Sequence, residues 1–126
     1  MKQIIHSESA PKAIGPYSQA IKAGNTVYLS GQIGLDPVTM HLAEGIVPQA
    51  TQMFENLRHV AKASGGDLAS IVKLTLYLTD MDHFAEVNQV MELFLNPPFP
   101  ARACIGVRQL PKNALVEADA IMVLAE

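Results

Sequence analysis

The stretch Ile71–Thr79 reads IVKLTLYLT, and in it Val72, Leu74, Leu76 and Leu78 alternate with Lys73, Thr75, Tyr77 and Thr79. A period of two is that of an extended chain with one face against a core. Directly afterwards the period changes. Asp80 or Asp82 can cap a helix, and Phe84, Val87, Met91 and Phe94 fall on one helical stripe that Pro97-Pro98 ends. A further strand is expected over residues 101–109. Strand, helix and strand in this order imply a right-handed parallel crossover, so residues 71–109 constrain the fold more than any other segment.

The remaining elements fit around that unit. Gly15-Pro16 closes an irregular N-terminal arm, and residues 17–23 read as a strand. Gly24-Asn25 is a two-residue turn signal. The return strand Thr26–Ser30 puts Val27 and Leu29 on one face and Tyr28 and Ser30 on the other. Gly31 follows, where the absent side chain lets a ligand or backbone come close. Asp36-Pro37 reads as a turn flanked by short strand pieces. Between Val47 and Ser64, the residues Ala50, Met53, Phe54, Leu57, Val60 and Ala61 form one apolar stripe, with Pro48 in the first turn and Gly65-Gly66 as the stop. Glu55, Arg58, His59 and Lys62 occupy the opposite, solvated face. A last strand is expected over residues 115–124.

Together these elements predict an α+β two-layer fold, a mixed sheet of about six strands with both helices on one face. The other face is expected to show Tyr28, Ser30, Thr75, Tyr77, Arg102, Cys104, Ile121 and Val123. That mixture is too apolar to be left wet and too polar for a core. Burial against other copies in a closed homo-oligomer is the natural solution.

At 126 residues the chain is expected to form a single domain spanning residues 1–126. Nine basic against twelve acidic residues give a net charge of -3, which argues against a nucleic-acid partner. The single cysteine, Cys104, excludes an internal disulfide. The opening MKQIIHSE lacks the pattern of a signal peptide, and no apolar run reaches the roughly 18 residues of a membrane span. A cytoplasmic location with no membrane partner is the expectation.

Four histidines, His6, His41, His59 and His83, form no HxH or HExxH pair. No metal site, dinucleotide fingerprint, Walker loop or nucleophile elbow is visible, so an enzyme built from this sequence would work with few polar groups and water. His83 falls in a helix first turn and reads as solvated. Arg102 then stands out, set in small and apolar company in FPARACIGV. The strand period makes it a same-face neighbour of Cys104, with Ala101, Ala103, Ile105 and Val107 on the other face. A guanidinium fork fits a carboxylate bidentately; the alternative is an acidic partner at a subunit interface. Cys104 packs as a small hydrophobe or serves as a nucleophile, and its backbone groups can bind ligand either way.

Glu117 interrupts the apolar alternation of the last strand. It either pairs with Arg108 or serves a site. A tight final hairpin about Lys112-Asn113 would hold it about 20 Å from Arg102, at roughly 3.4 Å per residue. A pocket using both therefore needs another strand order or two subunits. Tyr17 is a pocket edge or simple packing. Asn88, off the stripe of the second helix, is a solvated residue or a pocket hydrogen-bonder.

Almost end to end, the chain resembles the RidA (YjgF) family of reactive intermediate deaminases. The resemblance is carried by Ala13-Ile14-Gly15-Pro16-Tyr17, Ser30-Gly31-Gln32-Ile33, Glu55-Asn56-Leu57, the run from Asp80 to Asn88, Phe99-Pro100-Ala101-Arg102-Ala103-Cys104, Leu110-Pro111 and Val116-Glu117. It implies a chorismate-mutase-like fold assembled as a homotrimer with ligand clefts between subunits. It implies hydrolysis of 2-imino acids or their enamine tautomers, such as 2-iminobutanoate and 2-iminopropanoate, to 2-keto acids and ammonia, with no cofactor and no metal. By the same resemblance Arg102 would bind the substrate carboxylate. Gly31 and Cys104 would offer backbone groups, Tyr17, Ser30 and Asn88 would line the cleft, and Glu117 would position water. One departure is the short, proline-rich connection over residues 95–101, which bears on the cleft rim and so on substrate range. A non-catalytic small-carboxylate sensor and a ribonuclease or translation inhibitor, an activity ascribed to some relatives, are the competing readings. Arg102 is common to enzyme and sensor, and Glu117 separates them.

Overall fold

The crossover forms where the alternation and the stripe require it. In the computed structural model, which describes residues 1–125, the elements in chain order are β1 (Lys2–Ile5), β2 (Ala20–Ala23), β3 (Thr26–Ile33), α1 (Ile46–Ala63), β4 (Ile71–Leu78), α2 (Phe84–Phe94), β5 (Ala101–Gly106) and β6 (Val116–Val123). The sheet order is β1-β2-β3-β6-β4-β5. Only β4 and β5, joined through α2, run parallel; every other neighbouring pair is antiparallel. The architecture is α+β, a mixed six-stranded sheet with two helices.

Both helices lie on one face of the sheet. The predicted α1 stripe of Ala50, Met53, Phe54, Leu57, Val60 and Ala61 is buried throughout. It meets Val27 and Leu29 of β3, Leu74, Leu76 and Leu78 of β4, and Val116, Ala118, Ala120 and Met122 of β6 in one core. On α2 the residues Val87, Val90 and Met91 are buried, while Phe94 stacks on Phe54 with ring centroids 5.3 Å apart. No helix is long and apolar enough to cross a membrane.

Several expectations change. The N-terminal arm is not wholly irregular: Lys2–Ile5 adds a strand against β2, and the strand expected over 17–23 begins only at Ala20. Val72 does not share the buried side of Leu74. Ile71 pairs with Met122 and Lys73 with the adjacent Ile121, so Val72 is the extra residue of a β-bulge. It is 48% exposed while Ile71 is buried. Of the two arrangements left open for the last strands, the tight hairpin is not the one formed: β4 lies between β5 and β6.

The largest correction concerns Arg102 and Cys104, which were expected on the open face. They pair in register with Leu74 and Leu76, both buried beneath the helices. Paired residues on neighbouring strands point to the same side, so Arg102 and Cys104 project toward α2 at the sheet edge. The open face instead carries Tyr28, Lys73, Thr75, Tyr77, Ile105, Glu117, Asp119 and Ile121. Tyr28 and Ile105 are 51% and 45% exposed there.

One buried polar side chain ties the loop after β3 to the helix layer. Asn56 of α1 is fully buried. Its amide nitrogen donates to the carbonyls of Ile33 at 3.0 Å and Leu35 at 2.9 Å, and its oxygen accepts from Gln52 at 2.9 Å. Gly34 lies between the two carbonyls, and a Cβ there would overlap the Gln49 backbone, so only glycine permits the approach. Asn56→Ala strands both carbonyls and is expected to lower unfolding free energy by about 2–4 kcal/mol. Gln52→Ala, which leaves the Asn56 bonds to Ile33 and Leu35 in place and takes a partner only from its oxygen, should cost less, about 1 kcal/mol. Urea denaturation of the two variants checks the difference.

Candidate functional site

Two clefts gather the residues singled out in the sequence, one on each side of the sheet. The first lies between α2 and the segment leading into β5. It has a volume of about 340 Å³ and is lined by Asn88, Met91, Glu92, Phe99, Pro100 and Arg102. Asn88 falls one turn after Phe84 and one residue beyond the buried Val87, so it overhangs β5 instead of entering the core. Its side-chain oxygen accepts a hydrogen bond from the Arg102 guanidinium. The guanidinium also lies over the Phe84 ring, 5.2 Å from its centroid, and its Nη1 approaches the Met91 sulfur at 3.6 Å. These contacts fix the plane of the fork and leave its other donors available. No carboxylate among the described residues forms an ion pair with it.

Cys104 is the next residue on the same side of β5, half-buried against the core. Burial pushes its thiol above the usual range, and the opposing pull of Arg102 is the smaller effect. The thiol stays protonated at neutral pH, the state of a packing group and not of a nucleophile.

The second cleft is on the far side and has a volume of about 300 Å³. Tyr17, Gly31 and Glu117 line it together with Lys12, Ile14, Pro111 and Lys112. Ser30 borders its mouth beside Tyr17, Gly31 and Glu117. The local geometry follows from one irregularity. Between Leu29 and Gln32 the β3–β6 register slips by one residue, so Ser30 and Gly31 form a bulge opposite Asp119 in the middle of β6. The Glu117 carboxylate lies against Gly31, where any Cβ would collide with it. Ser30 is held by its own bonds, Oγ to the Ser18 carbonyl at 2.6 Å and N–H to the Gln19 carbonyl at 2.9 Å. Buried Gln19 pins the N-terminal arm: it accepts from the Ser7 N–H at 2.6 Å and donates to the Pro11 carbonyl at 2.9 Å. That anchorage carries Lys12, Ile14 and Tyr17 to the cleft edge.

Within one chain, Asn88, Arg102 and Cys104 are thus gathered on one side of the sheet, and Tyr17, Ser30, Gly31 and Glu117 around the other cleft. From the sequence, Phe84 and Met91 read only as helix stripe, Phe99 only as part of a motif and Lys112 only as a turn residue, and Lys12 carried no signal. The signal for Phe84 was present, since it begins the stripe one turn before Asn88, but its place beneath Arg102 depends on the crossover geometry. Lys112 gave a weaker signal, lying in a turn where it and Asn113 both adopt positive φ. His83, read as solvated, is half-buried, and its ring nitrogen lies 2.9 Å from Glu86, which raises its proton affinity.

Glu117 is electrostatically unusual. Burial raises its carboxyl above the ordinary 4.5, and the neighbouring Asp119 raises it further. Such a group binds more protons folded than unfolded between its ordinary and raised values, so folded-state stability falls as pH rises through that window. Glu117→Gln removes the penalty. The variant should be more stable than wild type at neutral pH, with the gap closing below about pH 4. Urea denaturation across this range checks it; a gap independent of pH would contradict the stated cause.

The family described as Endoribonuclease L-PSP matches residues 7–124. A protein of the mite Dermatophagoides farinae named 2-iminobutanoate/2-iminopropanoate deaminase is 46% identical over 124 residues, covering 98% of this chain and 97% of that one. The crystal structure of RidA from an Antarctic Psychrobacter superposes with a TM-score of 0.95 at 48% identity, covering 97% of this chain and 99% of the other. E. coli TdcF with bound serine gives a TM-score of 0.94 at 36% identity, covering 98% and 99%. A family match over residues 7–124, together with relatives this similar over nearly the whole chain, leaves one assignment: the chain belongs to the RidA (YjgF) family.

Proposed function

We propose that this protein is a hydrolytic deaminase that converts 2-imino acids and their enamine tautomers, 2-iminobutanoate and 2-iminopropanoate among them, to 2-keto acids and ammonia. The observation that carries this reading is the Arg102 guanidinium, braced by Asn88 and Phe84 at a small cleft and without a carboxylate partner among the described residues. A substrate carboxylate supplies the missing partner bidentately. The name of the mite relative supports the reaction, and the serine bound to TdcF supports a small amino-acid-like ligand.

The reaction needs little from the protein. An imine carbon is already electrophilic, so orientation counts for more than a strong nucleophile. Arg102 fixes the carboxylate. Glu117 accepts a proton from water as the water oxygen bonds to the imine carbon, and the nitrogen takes up a proton. That proton is the one Glu117 took from water and now returns; in the carbinolamine so formed Glu117 takes the hydroxyl proton and passes it to the amino nitrogen, the C–N bond breaks, the carbonyl forms and ammonia leaves. Backbone groups at the Ser30–Gly31 bulge and at Cys104, with Tyr17 beside them, shape the cleft.

Arg102 and Glu117 face opposite sides of one sheet, so the complete site on this reading lies between two copies, in a closed homotrimer whose open sheet faces are covered by neighbours. The half-exposed Tyr28 and Ile105 on that face support such burial. A ribonuclease is the second reading, favoured by the family's description; the net charge of -3 offers no broad electrostatic footprint for RNA.

The test generates 2-iminobutanoate in place from threonine and a dehydratase and follows keto-acid release. Wild type should accelerate release over the uncatalysed rate. Arg102→Ala should lower kcat/KM by about two orders of magnitude or more. Glu117→Gln should lose rate while still binding a keto acid. A wild type no faster than the uncatalysed reaction would overturn the enzyme reading, and full rate in Arg102→Ala would overturn the role of the arginine.

A further inference from the structure

Tyr77 and Asp119 share the open face with Glu117 but have no part in the steps above. Tyr77 is the direct partner of Glu117 in the antiparallel β4–β6 register, and Asp119 lies two residues along β6, opposite Thr75. The Tyr77 hydroxyl reaches diagonally across the strands and donates to Asp119 Oδ2 at 2.8 Å. The same bond, ahead of burial, raises the tyrosine above its ordinary 10.0, so the hydroxyl keeps its proton and keeps donating at neutral pH. No basic side chain among the described residues forms an ion pair with Asp119. Within one chain, an anchored negative charge with no ion-pair partner among the described residues therefore stands next to Glu117.

Resting on the deaminase reading, we propose that Tyr77 and Asp119 are positioning residues for Glu117: the tyrosine pins the aspartate, and the pinned charge makes the neighbouring glutamate a stronger acceptor for the water proton. On the deaminase reading a second copy brings its Arg102 to the same site, where that cation lowers the proton affinity of Glu117 and Asp119 offsets it; the other groups facing Glu117 within the chain do not substitute for this pair. Ile33 and Gly31 of β3 carry no charge. Tyr17 and Lys12 of the N-terminal arm and Lys112 of the turn before β6 line its cleft, and neither lysine forms an ion pair with it. Lys73 lies on the same face of β4, further along, opposite Ile121. Burial and Asp119 are the two influences that raise the Glu117 carboxyl. Chemically the gain falls on the first transfer. As the water oxygen bonds to the imine carbon, its proton passes to Glu117, and a stronger acceptor lowers that barrier.

The test is a carboxyl-carbon NMR titration of Glu117 in wild type, Asp119→Asn and Tyr77→Phe, alongside the pH profile of kcat/KM. Asp119→Asn should lower the Glu117 midpoint by roughly half to one pH unit and move the acid limb of the profile down equally. Tyr77→Phe should lower the midpoint part of the way, because the freed aspartate swings toward solvent. Asp119→Ser removes the same charge should the asparagine variant fail to fold. An unmoved midpoint in a folded variant lacking the Asp119 charge overturns the proposal, and an unmoved or raised midpoint in Tyr77→Phe overturns the pinning. A purely structural role for the pair would lower activity without moving the midpoint. The titration reads the coupling even in a protein without deaminase activity, so failure of the functional reading and failure of this inference are separate results.

Discussion

The last strand holds the molecule together. β6 is hydrogen-bonded on both sides, to β3 and to β4, and joins the N-terminal β1-β2-β3 meander to the β4-α2-β5 crossover. Its residues divide strictly by face. Val116, Ala118, Ala120 and Met122 are buried under the helices, while Glu117, Asp119 and Ile121 line the open side. A one-residue slip would bury two carboxylates and expel the core residues, so the register is heavily specified. The two departures from ideal pairing, at Val72 and at Ser30–Gly31, both lie against this strand. The second makes room for its glutamate.

From that central strand the two functional groups part company. The crossover sends β5 to the sheet edge, where Arg102 turns toward α2 and meets Asn88, Met91 and Phe84. Glu117 remains at the sheet centre on the other side. A braced cation with spare donors and a carboxylate of raised proton affinity suit binding an anion and moving a proton from water. On the proposed reading they become one site where a second copy brings its edge to this open face, and a ring of identical contacts would close such an arrangement.

Much of this was legible from residues 46–94, because a helical stripe and a strand alternation each report a buried face directly. The period also placed Arg102 and Cys104 on a common face. Which face was not legible: it depends on the register of β5 against β4, and no local pattern encodes it. β1 escaped notice because four residues with one buried side chain make no pattern. Val72 misled because a bulge inserts a residue without changing the sequence alternation. The pairing of Phe84 with Arg102 was hidden because an aromatic on a helix stripe reads as core. The family motifs named the candidate residues; the separation of Arg102 from Glu117 needed the sheet order.

That separation can be tested directly. Arg102→Ala and Glu117→Gln proteins, each inactive, are mixed after dissociation and allowed to reassociate. If each site takes its arginine from one copy and its glutamate from another in a closed ring of three, random mixing restores one intact site in every mixed ring, and about a quarter of wild-type activity returns. A mixture as inactive as its components, with exchange of subunits verified, would contradict a site shared between copies.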